Sequence, residues 1–424
     1  MAHIVQVDRP HPHAAPSCAL EVSAPAAHRC RVAAPRAPSP LAPADSAPSR
    51  ACGSRATGCW SAALVGTGLW RRPRHCSRRR GSRRPARVRI HALGDGKDRG
   101  TECSIVDVDV RCGQRTIQLK RFMGTGSGSA ARVPRLLPAV LLVHGGPARS
   151  SDYLRPLAVR LCEQAGRSCY LYDQLARGMP NGITLKHDAE DLRDVALHLA
   201  EHLGEPEVHL LGHGFGGVLI MEAILRRQLW GGALGSTRLP RLRSVCLMGT
   251  PSSASILRAE AQRLLRRAQA EGHSNAKAVF WYRHYCCLQT PGCLAEAYPG
   301  VMQEHLGGWE PWDAWVLRGW EIRRSELAKR YAESTGSAPL LSVRGEDDFV
   351  TEACVEAWRG VRDSLQAAAG GPGRAAARSG PAAGGFREEV IHGCSHHTHL
   401  EAPEAFGNFL RQWFSRVEAA AEGP

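Results

Sequence analysis

No two of the fifteen cysteines form a C-x-x-C pair, so the usual organiser of a zinc site is missing, and their scatter argues against a disulfide framework. They read as reduced, mostly buried thiols of a reducing compartment. Only Cys286, Cys287 and Cys293 cluster, at a spacing that fits no metal motif. No apolar run reaches the roughly 20 residues that a bilayer requires. The nearest candidate, CWSAALVGTGLW at 59–70, is shorter than that and lies too far from the start for a signal peptide. Acidic residues are scarce over residues 1–100, which hold 18 Lys and Arg against 5 Asp and Glu, whereas residues 101–424 hold 37 against 35. The net charge of +15 is therefore carried by the N-terminal segment, and the rest of the chain has no basic surplus that would point to nucleic acid.

Residues 1–100 are rich in Ala, Pro, Ser and Arg and close with the run WRRPRHCSRRRGSRRPARVRI. That profile predicts a disordered basic segment of the organellar transit type, read by an import machinery, with a plastid favoured over a mitochondrion and RIHAL near residue 90 as the processing region. The alternative is a basic tail that binds RNA or an anionic membrane.

What is present begins at about residue 103. SIVDVDV and QRTIQLKRF alternate with period two around Cys112-Gly113 and predict an antiparallel hairpin. Short apolar runs follow in AVLLVHGG, SCYLYDQ, VHLLGHG, SVCLMGTP, APLLSVRGEDD and EEVIHGCSHH, the pattern of parallel strands buried on both faces. Between them HDAEDLRDVALHLAEHLG sets Leu192, Val195, Ala196, Leu199 and Leu203 on one helical face, with Asp188 as cap and Gly204 as stop. The alternation predicts an α/β protein with a doubly wound, mostly parallel sheet whose functional loops lie at the strand C-termini. The core is assigned to 101–250 and 336–424. Residues 251–335, helix-rich and carrying Trp281, Trp309, Trp312, Trp315 and Trp320, are assigned to an inserted helical cap, and the Ala/Gly/Pro stretch 367–385 to a low-complexity surface insertion.

Four of the strand ends carry residues suited to attack on an acyl carbon, which needs a nucleophile, a base, an acid that orients the base, and donors for the oxyanion. After the first parallel strand, His144-Gly145-Gly146-Pro147 lets the backbone approach a substrate oxygen, with the Gly146 amide as donor and the Phe215 amide as its partner. The turn Gly212-His213-Gly214-Phe215-Gly216 has the spacing of a strand–nucleophile–helix elbow. Gly214 stands where a serine would be and supplies no nucleophile. Asp348, with Asp347 as its neighbour, follows the strand ending at Gly345 and is the candidate acid. The segment VIHGCSHHTHLEAPEAF offers His392, His396, His397 and His399, of which His396 is the chosen base. These histidines with Cys394 also suggest a transition-metal site, although the completing carboxylate is missing.

With the motifs in the order nucleophile, acid, base, the sequence resembles the α/β-hydrolase superfamily over about residues 103–415. More narrowly it resembles the proline iminopeptidases. HGGPA is close to their HGGPG, YDQLARG is similar to their DQRG-G segment, and FWYRHYCCL resembles a YRH-C segment of their cap. The resemblance implies the α/β-hydrolase fold, release of an N-terminal residue, usually proline, from small peptides or related acyl substrates, and neither metal nor cofactor. It also implies cap carboxylates that hold the substrate ammonium, for which Glu304 and Glu310 are the candidates. Ala148, Leu175-Ala176 and above all Gly214 depart from the pattern. Three functional readings follow: a catalytically impaired iminopeptidase-like hydrolase, a serine-free enzyme using His396 as general base, and a binding or scaffold protein.

Overall fold

The computed structural model describes residues 89–92, 103–112, 115–124, 137–146, 150–174, 185–226, 230, 238–287, 292–297, 317, 319–369 and 385–422. The alternating hairpin forms β2 (Cys103–Cys112) and β3 (Arg115–Gly124), paired antiparallel with Val110 opposite Ile117 and Val108 opposite Leu119. A short strand β1 (Arg89–Ala92) pairs antiparallel with the outer side of β2. It lies inside the stretch expected to be disordered, and it covers backbone groups that β2 would otherwise leave unpaired at a sheet edge.

The apolar runs form β4 (Ala139–Val143), β5 (Cys169–Tyr172), β6 (Glu207–His213), β7 (Arg241–Met248), β8 (Leu340–Gly345) and β9 (Phe386–Ile391). The nine strands are ordered β1-β2-β3-β5-β4-β6-β7-β8-β9. The pairs from β5 through β9 are parallel, while β3 joins β5 antiparallel. Every residue of β4 and β5 is buried, as expected for strands covered on both faces. In β9 only Val390's neighbours Glu389 and Ile391 are buried. It is the edge strand, and its charged residues are paired, Arg387 with Glu389 at 2.8 Å and Glu388 with Arg359 at 2.9 Å.

Helices α1 (Arg155–Ala165), α2 (Leu185–His202) and α3 (Phe215–Met221) connect β4 to β5, β5 to β6 and β6 to β7. On α2, Leu192, Val195, Ala196 and Leu199 are buried, whereas Leu203 lies beyond the helix end and is half-buried. The helix begins at Leu185, one turn earlier than the cap assignment, so Asp188 is not the N-cap. It sits buried in the first turn, on the side where the helix dipole favours a carboxylate.

Between β7 and β8 lie α4 (Ala254–Ala270), α5 (Ala276–Phe280), a π-turn over Trp281–Tyr285, α6 (Gly292–Ala297) and α7 (Arg324–Thr335). The last of these packs on the helix after β8, α8 (Gly360–Ala368). The Ala332 N–H donates to Ser364 Oγ at 3.0 Å, and Arg324 pairs with Asp363 at 3.0 Å. The C-terminal helix α9 (Pro403–Glu422) lies against the sheet. Its Trp413 donates to Ser244 Oγ on β7 at 3.3 Å. Among the described residues no helix is long and apolar enough to cross a membrane, and the described cysteines from Cys112 onward form no disulfide.

The chain runs from β4 outward to β5 and then crosses back to β6 on the other side of β4. The C-terminal ends of β4 and β6 therefore flank the point where the winding reverses, which is where open α/β sheets hold their ligands.

Candidate functional site

The two strand ends at that crevice carry His144-Gly145-Gly146 and His213-Gly214. Gly214 has φ 51° and ψ −115°, a conformation that L side chains rarely adopt, and α3 starts at the next residue. The neighbouring glycines are demanded by space. A Cβ on Gly212 would come within 2.5 Å of Gly217 backbone, and one on Gly216 within 2.0 Å of the Val143 carbonyl oxygen. Strand, turn and helix can therefore touch only if these positions are bare. Gly214 differs: a Cβ there would meet nothing nearer than His396 Nε2, at 3.4 Å.

His396 enters from the loop after β9 and Asp348 from the loop after β8. His396 Nδ1 lies 3.0 Å from Asp348 Oδ1, so the ring donates there and turns Nε2 toward Gly214. Asp348 Oδ1 also accepts the Val350 N–H at 2.8 Å. Asp347, the rival acid, faces elsewhere with its backbone engaged: its N–H donates to the Cys394 carbonyl at 3.0 Å and its carbonyl accepts from His284 Nδ1 at 2.7 Å. Gly249, after β7, makes the pairing possible. A Cβ there would stand 2.8 Å from His396 Nδ1 and 2.9 Å from Asp348 Oδ2. The sequence reading passed over Gly249, although the MGT stretch after an apolar run carried the same strand-end signal as the other motifs.

Tyr153, absent from the sequence reading, and His213 of the elbow tie the β4 loop to His396. The Gly145 N–H donates to Tyr153 Oη at 2.5 Å, the Tyr153 hydroxyl meets His213 Nδ1 at 2.7 Å, and His213 Nε2 donates to the His396 carbonyl at 3.1 Å. A carbonyl can only accept, so His213 carries its proton on Nε2 and Tyr153 donates to Nδ1. Burial, reinforced by His396, His397 and His399, pushes the His213 pKa well below the usual histidine value and so favours this neutral tautomer. Nothing in the sequence marks Tyr153, which is 60 residues from His213. On the other flank Gln174, from the segment YDQ, donates its backbone N–H to His144 Nε2 at 3.0 Å and its side-chain amide to the His144 carbonyl at 2.9 Å.

Aromatic rings wall the pair. Phe349 and Tyr285 approach the His396 ring with centroid distances of 4.6 and 5.5 Å, and Trp281 stacks on Tyr285 at 3.8 Å. Trp281 and Tyr285 belong to FWYRHYCCL, so the segment noted in the cap lies beside the site. Among the described residues neither Gly146 nor Phe215 has a hydrogen-bond partner for its amide. Both sit at the crevice, Gly146 with φ 74° and Phe215 at the first position of α3, where amides lack intrahelical acceptors.

Among the described residues no group of three or more His, Cys, Asp or Glu could hold an ion. The rings point apart: His397 Nδ1 faces the Tyr285 carbonyl at 2.9 Å, His399 Nε2 the Tyr153 carbonyl at 3.3 Å, and His392 pairs with Glu346 at 3.3 Å. Glu304, Glu310, Pro147, Ala148, Leu175, Ala176 and most of residues 1–100 lie outside the described residues, as do Trp309, Trp312 and Trp315.

Comparison with known proteins bears on this arrangement. The model of the "Alpha/beta hydrolase family" matches residues 140–408. A proline iminopeptidase of Lactobacillus crispatus is 23% identical over 295 residues, covering 65% of this chain and 90% of that one. One from Lactobacillus delbrueckii subsp. bulgaricus is 30% identical over 301 residues, covering 65% and 88%. The crystal structure of the Mycobacterium smegmatis proline iminopeptidase superposes with a TM-score of 0.54 at 23% identity, covering 74% of this chain and 99% of that one.

Proposed function

Because the chain belongs to the alpha/beta hydrolase family and is related to the proline iminopeptidases, we propose that it is an iminopeptidase-like hydrolase whose acyl-enzyme chemistry is impaired at one position, Gly214. The observation that carries this reading is the 3.4 Å between the site of a Gly214 Cβ and His396 Nε2. A serine hydroxyl in that place would sit within hydrogen-bond reach of a base already oriented by Asp348. In this reading His396 is the base, Asp348 holds it, and the amides of Gly146 and Phe215 receive the oxyanion. The substrate class is a short peptide with a free N-terminal proline or similar residue, or a small acyl ester, with Glu304 and Glu310 as candidates for holding the ammonium.

Loss of the nucleophile alone costs a serine hydrolase about a million-fold in turnover, with roughly 10³ to 10⁴ over water remaining from the oxyanion hole and binding. Unmodified protein is accordingly expected to turn over prolyl anilides and short-chain esters near that floor. Gly214→Ser is expected to raise the rate by at least about 10³-fold and to label with a fluorophosphonate. A folded Gly214→Ser protein that neither labels nor hydrolyses either substrate would favour the scaffold reading instead.

The composition of residues 1–100 supports import into an organelle, a plastid in the first place. Mass spectrometry of the protein from its host is expected to find a mature N-terminus beyond residue 80. A functional form that retains residues 1–80 overturns the targeting reading.

A further inference from the structure

We propose that Glu401 is a positioning residue of the site: its carboxylate fastens the cap segment 285–287 to the loop that carries His396, so that the base and the aromatic wall beside it are set together. The inference rests on the hydrolase reading above and adds to it a residue that acts through His396 and the wall rather than on the reacting atoms. Glu401 ends the short helix Thr398–Glu401 that follows the base. Its Oε2 accepts the Ser395 N–H, and its Oε1 accepts the Ser395 hydroxyl at 2.5 Å and the Cys287 N–H at 3.3 Å. Ser395 directly precedes the base and is fully buried. Cys287 lies two residues beyond Tyr285, whose ring approaches that of His396 at 5.5 Å and whose carbonyl accepts from His397 Nδ1 at 2.9 Å. The cap segment is thus joined to the base loop by two bonds, one from the residue after His396 and one from Glu401. Among the described residues no cation pairs with Glu401, so the carboxylate is held by donors of these two segments. Burial first and the Glu401 charge next push the thiols of Cys287 in the cap and Cys394 in the base loop up to about 12, which sets the charge close to both.

The donor count requires a carboxylate. Both of its oxygens accept, whereas a glutamine amide offers one acceptor oxygen and an NH2 group that only donates. With the amide oxygen toward the Ser395 N–H, the NH2 group meets the Cys287 N–H and the cap loses its tie. Turned over, the NH2 group meets the Ser395 N–H and the base loop loses its own. The Ser395 hydroxyl adapts to either arrangement, but one backbone N–H is always left without its acceptor. A misplacement of about 1 Å costs a site on the order of 100-fold in rate, so loosening either tie reaches the chemistry.

The test places Glu401→Gln and Glu401→Asp in the unmodified full chain and in Gly214→Ser. Hydrogen exchange of the unmodified chain, read by mass spectrometry, needs no activity. It is expected to quicken at least about fivefold in peptides covering 281–287 and 392–398, while strand β6 keeps its protection. In Gly214→Ser, Glu401→Gln is expected to lower kcat for proline p-nitroanilide about tenfold or more and to raise KM, because the base and the wall are disturbed together. The comparison is made at equal folded fraction by circular dichroism, where a loss of stability alone moves neither constant. Glu401→Asp keeps the charge but withdraws both oxygens by one methylene group, so it is expected to act in the same direction and decides the matter should Glu401→Gln fail to fold. Unchanged exchange in both peptides, or kcat and KM within about twofold of Gly214→Ser, overturns this inference and leaves the hydrolase reading standing. A folded but inert Gly214→Ser overturns the hydrolase reading, and exchange alone then decides whether Glu401 ties the two segments.

Discussion

At Gly216 one added methyl group would have to occupy a point 2.0 Å from the Val143 carbonyl oxygen and 2.6 Å from that of His144. Both are backbone atoms of β4 and its loop, which cannot rotate away, so Gly216→Ala must push α3 off the sheet. The cost is expected near the upper end for overpacking, about 3 kcal/mol. Gly214→Ala meets no such obstacle, and its cost is the strain of a positive φ in an alanine, about 1–2 kcal/mol. Thermal unfolding of the two variants is therefore expected to rank Gly216→Ala well below Gly214→Ala, and equal midpoints would sink this account of the elbow. The sequence revealed that these positions were glycine and that the spacing was that of an elbow. It did not separate the glycines required by contact from the one that could take a Cβ, because that distinction depends on Val143, His144 and His396, which approach from other strands and loops. Position after Gly345 singles out Asp348 over Asp347, and the turn's path supplies the reason: adjacent side chains on a turn point in different directions, and Asp348 is the one that meets His396.

Elements are held together by pairs that sequence patterns do not connect. Helix α9 is locked to the sheet by Glu418, which receives Arg167 Nη2 at 2.9 Å and His209 Nε2 at 2.9 Å. Arg167 and Glu418 are 251 positions apart, and Arg167 stands in the short turn before β5, where it also donates to the Pro138 carbonyl at 3.1 Å. Arg167 is 2% exposed, so removal of the carboxylate leaves a guanidinium with no counter-charge and no water. Glu418→Ala is expected to destabilise the protein by about 3 kcal/mol or more in urea unfolding. The double replacement Arg167→Met with Glu418→Leu, which leaves no buried charge, is expected to recover most of the loss. A loss below about 1 kcal/mol in the single variant would show that water reaches the pair. The strands and helices themselves were legible, since β4 to β8 announce themselves as apolar runs and α2 as an amphipathic face. The joints between them were not. Ion pairs and the Gly145–Tyr153–His213–His396 chain involve residues whose types are ordinary on any surface, and only folding makes them partners.

Across the whole molecule, buried neutral histidines set how stability responds to acid. Burial lowers His209 to about 4, with Arg167 adding to the effect against the Glu418 hydrogen bond, and lowers His399 to about 3. Burial and the neighbouring rings hold His213 and His397 well below the usual value. For Glu418 burial acts in the opposite sense, but the hydrogen bonds from His209 and Arg167 and the Arg167 charge outweigh it and hold the carboxyl at about 2. All five groups have folded values below their unfolded ones, near 6.5 for histidine and 4.3 for glutamate. Each therefore contributes stability that is fully present above its unfolded value and is lost as pH falls toward the folded one. Between pH 6.5 and 4 the unfolded chain binds a proton at each of the four histidines that the folded chain refuses, and every such proton tilts stability by about 1.4 kcal/mol per pH unit. Urea unfolding at fixed ionic strength is expected to show stability level from pH 8 to 7 and then falling below pH 6.5 with a slope of two or more protons, so that a chain of ordinary stability, about 5–15 kcal/mol, unfolds between about pH 4 and 6. A profile that stays flat down to pH 5 would mean that the histidines protonate within the folded state. A protonated His213 would keep its donation to the His396 carbonyl, but its Nδ1 would donate to the Tyr153 hydroxyl instead of accepting from it.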